Sequence, residues 1–303
     1  MSVLEERRLG RTEMHPASIG LGAAWWGKST EQETIAGIHR AIDLGINYLD
    51  TYPGEMEDRW GKALSGGKRD AVYLQAKVSR VAERKSDHSA RATRNSLEAS
   101  LRLLRTDYVD AVLIHGYDQP EHLDLDDMVD PLAPGNALDE LQKMKEEGKL
   151  GHIGIGARSD DVVTRAIETG RIDMVLTYLE YNLLTQSAAQ RMFPVCREHD
   201  VGVQLASPFG MGLLTGAVPE ISEEKRKIPI KEPRVARMLE WCAERDINIR
   251  HLAIQFCLAA PVESIVLPGP ASLHEVEDAV ESATTNISDA IWEEFETEFG
   301  VTR

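Results

Sequence analysis

Three apolar runs of this chain each close on a side chain able to move or steer a proton. INYLD ends at Asp50, VYLQAKV carries Lys77 one place from its end, and VDAVLIH ends at His115. A charge beside a buried run is costly unless it is paired, and three at equivalent positions argue for a shared task. An aspartate–lysine pair favours the phenolate of a neighbouring tyrosine. A tyrosine so placed can exchange a proton with a carbonyl or alcohol oxygen, while an imidazole orients that oxygen. The reaction also wants a hydride donor or acceptor, which no side chain supplies, so a nicotinamide cofactor is implied. Tyr52, two residues after Asp50, is the nearest phenol; Tyr117, just past His115, is a further candidate.

These runs belong to a series. Short β-rich segments recur at 17–22, 46–50, 72–78, 109–115, 152–156, 173–178, 201–206 and 264–268, separated by stretches with helical spacing. Thr30 and Glu33 open one such stretch with a capping-box pattern, and Gly45 closes it. Leu97, Leu101 and Leu104 share one stripe of another. Two more lie at 136–149 and 187–200, and Pro194 predicts a kink in the second. Most of the β runs are apolar without alternation, as in parallel strands buried on both faces. Eight of them alternating with helices predict an α/β fold, a (β/α)8 TIM barrel forming a single domain over 1–303. A doubly wound nucleotide-binding fold would carry G-x-G-x-x-G after its first strand. GLGAAWWG misses the third glycine, and GMGLLTG, at 210–216, comes late and one residue out. In a barrel, chemistry gathers at the C-terminal strand ends, where Asp50, Lys77 and His115 fall. The charged stretch from Val218 to Pro233 then lies on the same face, as a lid or as a solvated insertion.

Composition narrows the partners. A net charge of −16 disfavours nucleic acid and anionic membranes, since both reward surplus Lys and Arg. No apolar run approaches the roughly 20 residues needed to span a bilayer, and the charged N-terminus lacks an apolar signal core. The three cysteines, Cys196, Cys242 and Cys257, are too few for a disulfide framework and read as helix packing. No Cys or His pair has zinc spacing, so no metal is expected. The expectation is a cytoplasmic enzyme with a small-molecule substrate.

Several segments together resemble the aldo-keto reductases over nearly the whole chain: LGRTEMHPASIGLGAAWWG, AIDLGINYLDT, YLQAKV, LRTDYVDAVLIHGYD, LQKMKEEGKLGHIGIG, LEYNLL, VGVQLASPFGMGLLTG and LPGPASLHEVED. Within the family, LASPFGMGLLTG and Tyr178 look like the sugar-dehydrogenase branch that includes L-galactose dehydrogenase. The resemblance implies an Asp–Tyr–Lys–His tetrad, onto which Asp50, Lys77 and His115 map, and NAD or NADP bound extended across the barrel mouth. It assigns Tyr178 to the cofactor pocket. It also assigns Ser207, Pro208, Gly210, Gly212 and Leu213 to the segment around the pyrophosphate, where glycines let backbone N–H groups approach phosphate. Gly269, Ala271, Glu275 and Asp278 fall in the segment at the adenosine ribose.

The sequence also departs from that family. The tyrosine usually stands five residues after the aspartate, where this chain has Glu55, and the connection to Gly61 is shorter. Either Tyr52 takes the catalytic position, or the phenol is lost and Glu55 or solvent fills the gap. A carboxylate there would suit proton abstraction, hence elimination or epimerisation without net redox change. A non-catalytic binding subunit is the remaining alternative. The usual Ser-Asn pair of the nicotinamide pocket is replaced by Gly156 and Ala157, and Tyr178 stands where a glutamine would, leaving Asn182 or backbone groups to contact the carboxamide. Arg158 could bind an anionic substrate group or be an exposed arginine at a helix start. Glu275 falls where NADP-preferring members carry a cation for the 2′-phosphate, so NAD is expected over NADP. Trp25 and Trp26, after the first strand, offer a rim on which a sugar could stack or simply pack; Trp60, Trp241 and Trp292 read as core.

Overall fold

The computed structural model describes residues 4–78, 80–82, 85–116, 129–216 and 233–303. Along them run β1 (Leu21–Gly22), α1 (Glu31–Asp43), β2 (Tyr48–Asp50), α2 (Met56–Ala63) and β3 (Tyr73–Val78). A small hairpin, β4 (Arg80–Ala82) and β5 (Lys85–Ser86), precedes α3 (Ala90–Leu104) and β6 (Val109–His115). Then come α4 (Ala137–Glu146), β7 (Leu150–Gly156), α5 (Asp160–Glu168), β8 (Met174–Tyr178), α6 (Met192–Glu198) and β9 (Gly202–Ala206). Two helices, α7 (Pro233–Glu244) and α8 (Ile249–Leu258), lead to β10 (Ser264–Leu267), followed by α9 (Leu273–Thr284) and α10 (Asp289–Phe299).

The eight long-expected strands form one sheet in the order β1-β2-β3-β6-β7-β8-β9-β10, every pair parallel. A parallel bridge from Ile19 to Val266 joins the last strand to the first and closes the barrel. Each predicted run coincides with one of these strands, β7 alone starting two residues earlier than expected, at Leu150, and the architecture is the expected (β/α)8 barrel.

Strand parity divides the core in two. Side chains alternate across a strand, so one set packs outward under the helices and the other fills the lumen. The outer cluster includes Leu49, Leu74, Val112, Ile155 and Val175 with the helix stripe Leu97, Leu101 and Leu104. The lumen set is Tyr48, Ala111, Leu113, Met174, Leu176, Ile265 and Leu267. Leu9 and Met14 join this inner set from the N-terminal segment, which folds back on itself through Arg7 N–H to Pro16 O at 2.8 Å and plugs the base.

The capping box of α1 forms as its residues predict: Thr30 accepts from the Glu33 N–H while the Glu33 carboxylate accepts from the Thr30 N–H at 2.8 Å. Pro194 does not kink its helix. It lies in the first turn of α6, where a missing N–H costs nothing, and the residues before Met192 form a separate short turn at Ser187–Ala189. The stretch from Val218 to Pro233 lies outside the described residues, apart from Pro233, which opens α7.

Candidate active site

Parity also builds the site. Asp50 and Lys77 sit two positions beyond Tyr48 and Gln75 on adjacent strands, so all four point into the lumen, with Asp50 level with Gln75 in register. Lys77 Nζ donates to Asp50 Oδ1 and, at 2.8 Å, to the backbone oxygen of Thr51. Both charges are buried, and the pairing offsets what desolvation would cost them singly. Asp50 Oδ1 accepts a second hydrogen bond, from Gln75 Nε2 at 2.7 Å. Gln75 in turn makes a reciprocal amide pair with Gln204 of β9, at 2.8 and 2.7 Å. The Tyr48 hydroxyl completes the layer, donating to Gln75 Oε1 at 2.8 Å and accepting from Gln204 Nε2 at 3.0 Å. Burial and the Asp50 charge hold the Tyr48 phenol well above its ordinary pKa, so it stays a neutral donor.

Above this layer stands Tyr52. The Lys77 ammonium lies 5.8 Å from its ring centroid, and the His115 ring meets it edge-on with centroids 5.6 Å apart. Asp50, Tyr52, Lys77 and His115 are therefore gathered at one strand-end cluster. Glu55 stands apart: it is exposed at the N-cap of α2 and has no side-chain hydrogen bond or ion pair among the described residues. Tyr117 lies outside the described residues.

Two residues of this neighbourhood carry no strand-end signal in the sequence. Gln75 is the first. The second is Glu57, in the first turn of α2, 1 % exposed and hydrogen-bonded to Thr51 Oγ1 at 3.1 Å. Burial pushes its carboxyl up to about 7 against hydrogen bonds from Ser100 and Thr51 that pull it down.

The loop after β9 has a distinctive backbone. Ser207, Gly210, Met211 and Gly212 have φ of 58°, 55°, 58° and 95°. Two of these are not glycine, and strain of this kind persists where the surroundings over-determine it. The glycines wind the turn rather than presenting free donors: the N–H groups of Gly210, Gly212, Leu213 and Leu214 donate to carbonyls within the loop at 3.0, 3.0, 3.3 and 3.0 Å. Pro208 and Leu213 are buried beneath. Among the described residues the Ser207 hydroxyl has one distant contact, 3.9 Å to Met211 Sδ, which leaves it able to donate to a phosphate.

Beside this loop, β10 runs through Gly269 to α9. A Cβ on Gly269 would lie 2.9 Å from Trp25 Cδ1, so the indole packs directly on this backbone. Ser272 caps α9, and Glu275 reaches back to accept from the Ala271 N–H at 2.6 Å. Asp278 is engaged by Arg250 of α8 at 2.7 Å. A strained turn with a serine donor and the N-terminus of α9 are features that suit the phosphates and sugars of a dinucleotide.

The remaining expectations divide. Trp26 is fully buried, its ring tip 2.1 Å from where a Cβ on Gly37 of α1 would stand. It is core, not rim; only Trp25 of the pair is half-exposed. Arg158 is ion-paired with Glu180 at 2.5 Å, and its guanidinium sits 5.4 Å from the Tyr178 ring centroid. Gly156 borders His115, with Cδ2 3.4 Å from a built Cβ, and Ala157 is buried. Asn182 braces its own turn, its Oδ1 accepting from the Leu184 N–H at 2.8 Å. Trp60, Trp241 and Trp292 are core, and the cysteines are buried and free. Among the described residues no cluster of three potential metal ligands occurs, and no helix is long and apolar enough to cross a membrane.

Known proteins resemble this chain in sequence and in architecture. The chain is 32 % identical over 297 residues to an L-galactose dehydrogenase of Arabidopsis thaliana, covering 94 % of this chain and 89 % of that protein. It is 30 % identical to a D-threo-aldose 1-dehydrogenase of a Pseudomonas species, covering 91 % and 92 %. An NADH-specific methylglyoxal reductase of Escherichia coli K12 is 27 % identical, covering 93 % and 92 %. Among solved structures, an aldo-keto reductase of Bacillus halodurans in its holo form superposes with a TM-score of 0.74 over 98 % of this chain and 96 % of that one, at 24 % identity, a likeness of fold. The model of the aldo/keto reductase family matches residues 18–297, so the chain belongs to that family of nicotinamide-dependent oxidoreductases.

Proposed function

We propose that the protein is an NAD(H)-linked oxidoreductase that interconverts a hydroxyl and a carbonyl on a sugar or related polyol. The observation that carries this reading is the meeting of Tyr52 with Lys77 and His115 over a buried Asp50. Tyr52 is the group that passes a proton to a carbonyl oxygen in reduction and takes it from an alcohol in oxidation. The Lys77 ammonium favours the negative charge that develops on the phenol oxygen, and Asp50 with the Thr51 carbonyl fixes that ammonium in place. His115 orients the reacting oxygen. When bound, the nicotinamide supplies or accepts the hydride. Ser207 and the turn to Leu213 would hold its phosphates, and Gly269, Ala271 and the start of α9 its adenosine half, with Tyr178 and Trp25 beside it.

Glu275 supports NAD over NADP. Its carboxylate is held at the α9 N-terminus by the Ala271 N–H, where it would repel a 2′-phosphate. The nearby Arg250 is already neutralised by Asp278. The names of two relatives are those of sugar dehydrogenases and a third names NADH, which agrees with both parts of the reading. Glu55 gives no support to elimination or epimerisation, being exposed at the N-cap of α2.

The test is nicotinamide binding by fluorescence, followed by turnover against a sugar panel with NAD and NADP. Binding with net reduction of NAD supports the proposal. A substrate altered without net redox change, or no binding of either nucleotide, would overturn it.

A further inference from the structure

Among the described residues, the acid–base chemistry gives no task to a buried carboxyl beside it, that of Glu57. Glu57 lies in the first turn of α2, almost wholly enclosed, one hydrogen bond from Thr51. Thr51 is also the residue whose carbonyl oxygen anchors Lys77 Nζ at 2.8 Å. A carboxyl is expensive to bury without a partner, and among the described residues no cation is ion-paired with this one.

The Thr51 hydroxyl has one proton and two acceptors within reach, Glu57 Oε1 at 3.1 Å and the Gln75 carbonyl at 2.9 Å. With Glu57 protonated, its own O–H can donate to Thr51 Oγ1 while Thr51 keeps its bond to Gln75. With Glu57 ionised, the Thr51 proton must turn to the carboxylate, and Gln75 O keeps only the Thr51 N–H at 2.9 Å. The ionisation of Glu57 is thus tied to the strand that carries Lys77 and to the loop that carries Tyr52.

The other charges around Glu57 face elsewhere. On α2 itself, Lys62 pairs with Glu31 of α1 and with Asp58, Asp58 also pairs with Arg105, and Arg59 donates to Ser29 O. From α3 it meets the neutral Ser100, and from the preceding loop the Gly54 backbone and Thr51. From the barrel, Lys77 of β3 is the charge that acts on it, and Asp50 holds that ammonium from the far side.

We propose that Glu57 is a positioning residue of the acid–base centre: its charge, acting through Thr51 and Lys77, sets how readily Tyr52 releases and recovers its proton. This deepens the oxidoreductase reading and rests on it for its link to turnover. An ionised Glu57 competes with Tyr52 for the Lys77 charge and holds the proton on the phenol. A protonated Glu57 leaves that charge to the phenolate. Because burial pushes the Glu57 carboxyl up to about 7, the change between the two falls in the neutral range.

The test is Glu57→Gln, which keeps the shape and both kinds of hydrogen bond but removes the charge, checked for folding by thermal unfolding. Two readouts are taken. In the first, tyrosinate absorbance is titrated from pH 7 to 12, with the matching Tyr52→Phe protein subtracted to isolate Tyr52 among the seven tyrosines. Losing a nearby negative charge should lower the pH at which Tyr52 ionises by roughly half a unit to one unit. In the second, the pH profile of sugar oxidation by the wild type should show an inflection near 7 that the variant lacks. Superposable tyrosinate titrations would overturn the proposal whether or not any sugar is turned over. A shifted titration with no dehydrogenase turnover would uphold the role of Glu57 and sink the oxidoreductase reading instead. An inflection near 7 that persists in Glu57→Gln would also overturn it.

Discussion

The rings of Tyr52 and His115 meet edge to face, with centroids 5.6 Å apart and planes at 84°. The contact links the loop after β2 to the end of β6, across β3, which carries Lys77. It supports the proposal that Tyr52 takes the catalytic position, since a phenol and not the Glu55 carboxylate stands beside the ammonium and the imidazole. Tyr52→Phe should therefore keep the fold and lose at least about 100-fold in kcat, the low end of what a positioned proton donor contributes. Glu55→Ala should leave kcat within about a factor of two. Steady-state kinetics of the two variants check this, and the reverse pattern would hand the chemistry to the carboxylate.

The Lys77–Asp50 pair carries a stability prediction as well as a catalytic one. Both side chains are buried, and removing one strands the other charge. Lys77→Met and Asp50→Asn should each remove activity, and Lys77→Met, which leaves the carboxylate bare, should cost about 3–5 kcal/mol. The double variant Asp50→Asn/Lys77→Met should be less destabilised than the sum of the two, because it leaves no unpaired charge. Urea unfolding of all four proteins measures the coupling. Strict additivity would show that the pair does not act as a unit.

Much of this site was legible because strand parity and strand ends are local properties. INYLD, VYLQAKV and VDAVLIH place Asp50, Lys77 and His115 at the open rim by counting alone. The same counting reaches Tyr48 and Gln75, two residues earlier on the same faces, although an uncharged side chain inside an apolar run gives no warning that it is paired. Glu57 is different. It begins the charged stretch Glu57-Asp58-Arg59, which reads as a solvated face, and its burial comes from Thr51 on the preceding loop and Ser100 on α3, a non-local contact. Trp25 and Trp26 are neighbours of one type, and which of them turns inward depends on the room that Gly37 leaves on α1. The loop after β9 has a backbone that its glycines alone do not announce. Two of its left-handed residues, Ser207 and Met211, are not glycine, and the N–H groups of Gly210 and Gly212 bond to carbonyls of the loop itself.

Cofactor choice follows from the α9 N-terminus. Glu275→Arg replaces the repelling charge with one that can pair with a 2′-phosphate. It also removes the bond to the Ala271 N–H, so some loss with NAD is expected. The ratio of kcat/KM for NADP to that for NAD should rise by about 10-fold or more, since each 1.4 kcal/mol is tenfold. A wild type that already prefers NADP, or a ratio unmoved by the substitution, would remove Glu275 from the cofactor site.

The buried carboxyl of Glu57 also makes stability depend on pH in a defined direction. Its pKa is raised in the folded state, from the ordinary 4.5 to about 7. The stabilisation from holding that proton is therefore complete below pH 4.5 and is lost as the pH rises through 7. The displacement corresponds to roughly 3 kcal/mol across that window. Glu57→Gln has no proton to lose and should escape this decline. The difference in melting temperature, variant minus wild type, should thus grow more positive between pH 5 and pH 8. Thermal unfolding of both proteins in matched buffers reads it directly. A difference that stays flat or turns more negative over that range would mean that Glu57 ionises as an ordinary glutamate does, and that Thr51 and Ser100 enclose a carboxylate already charged at pH 5.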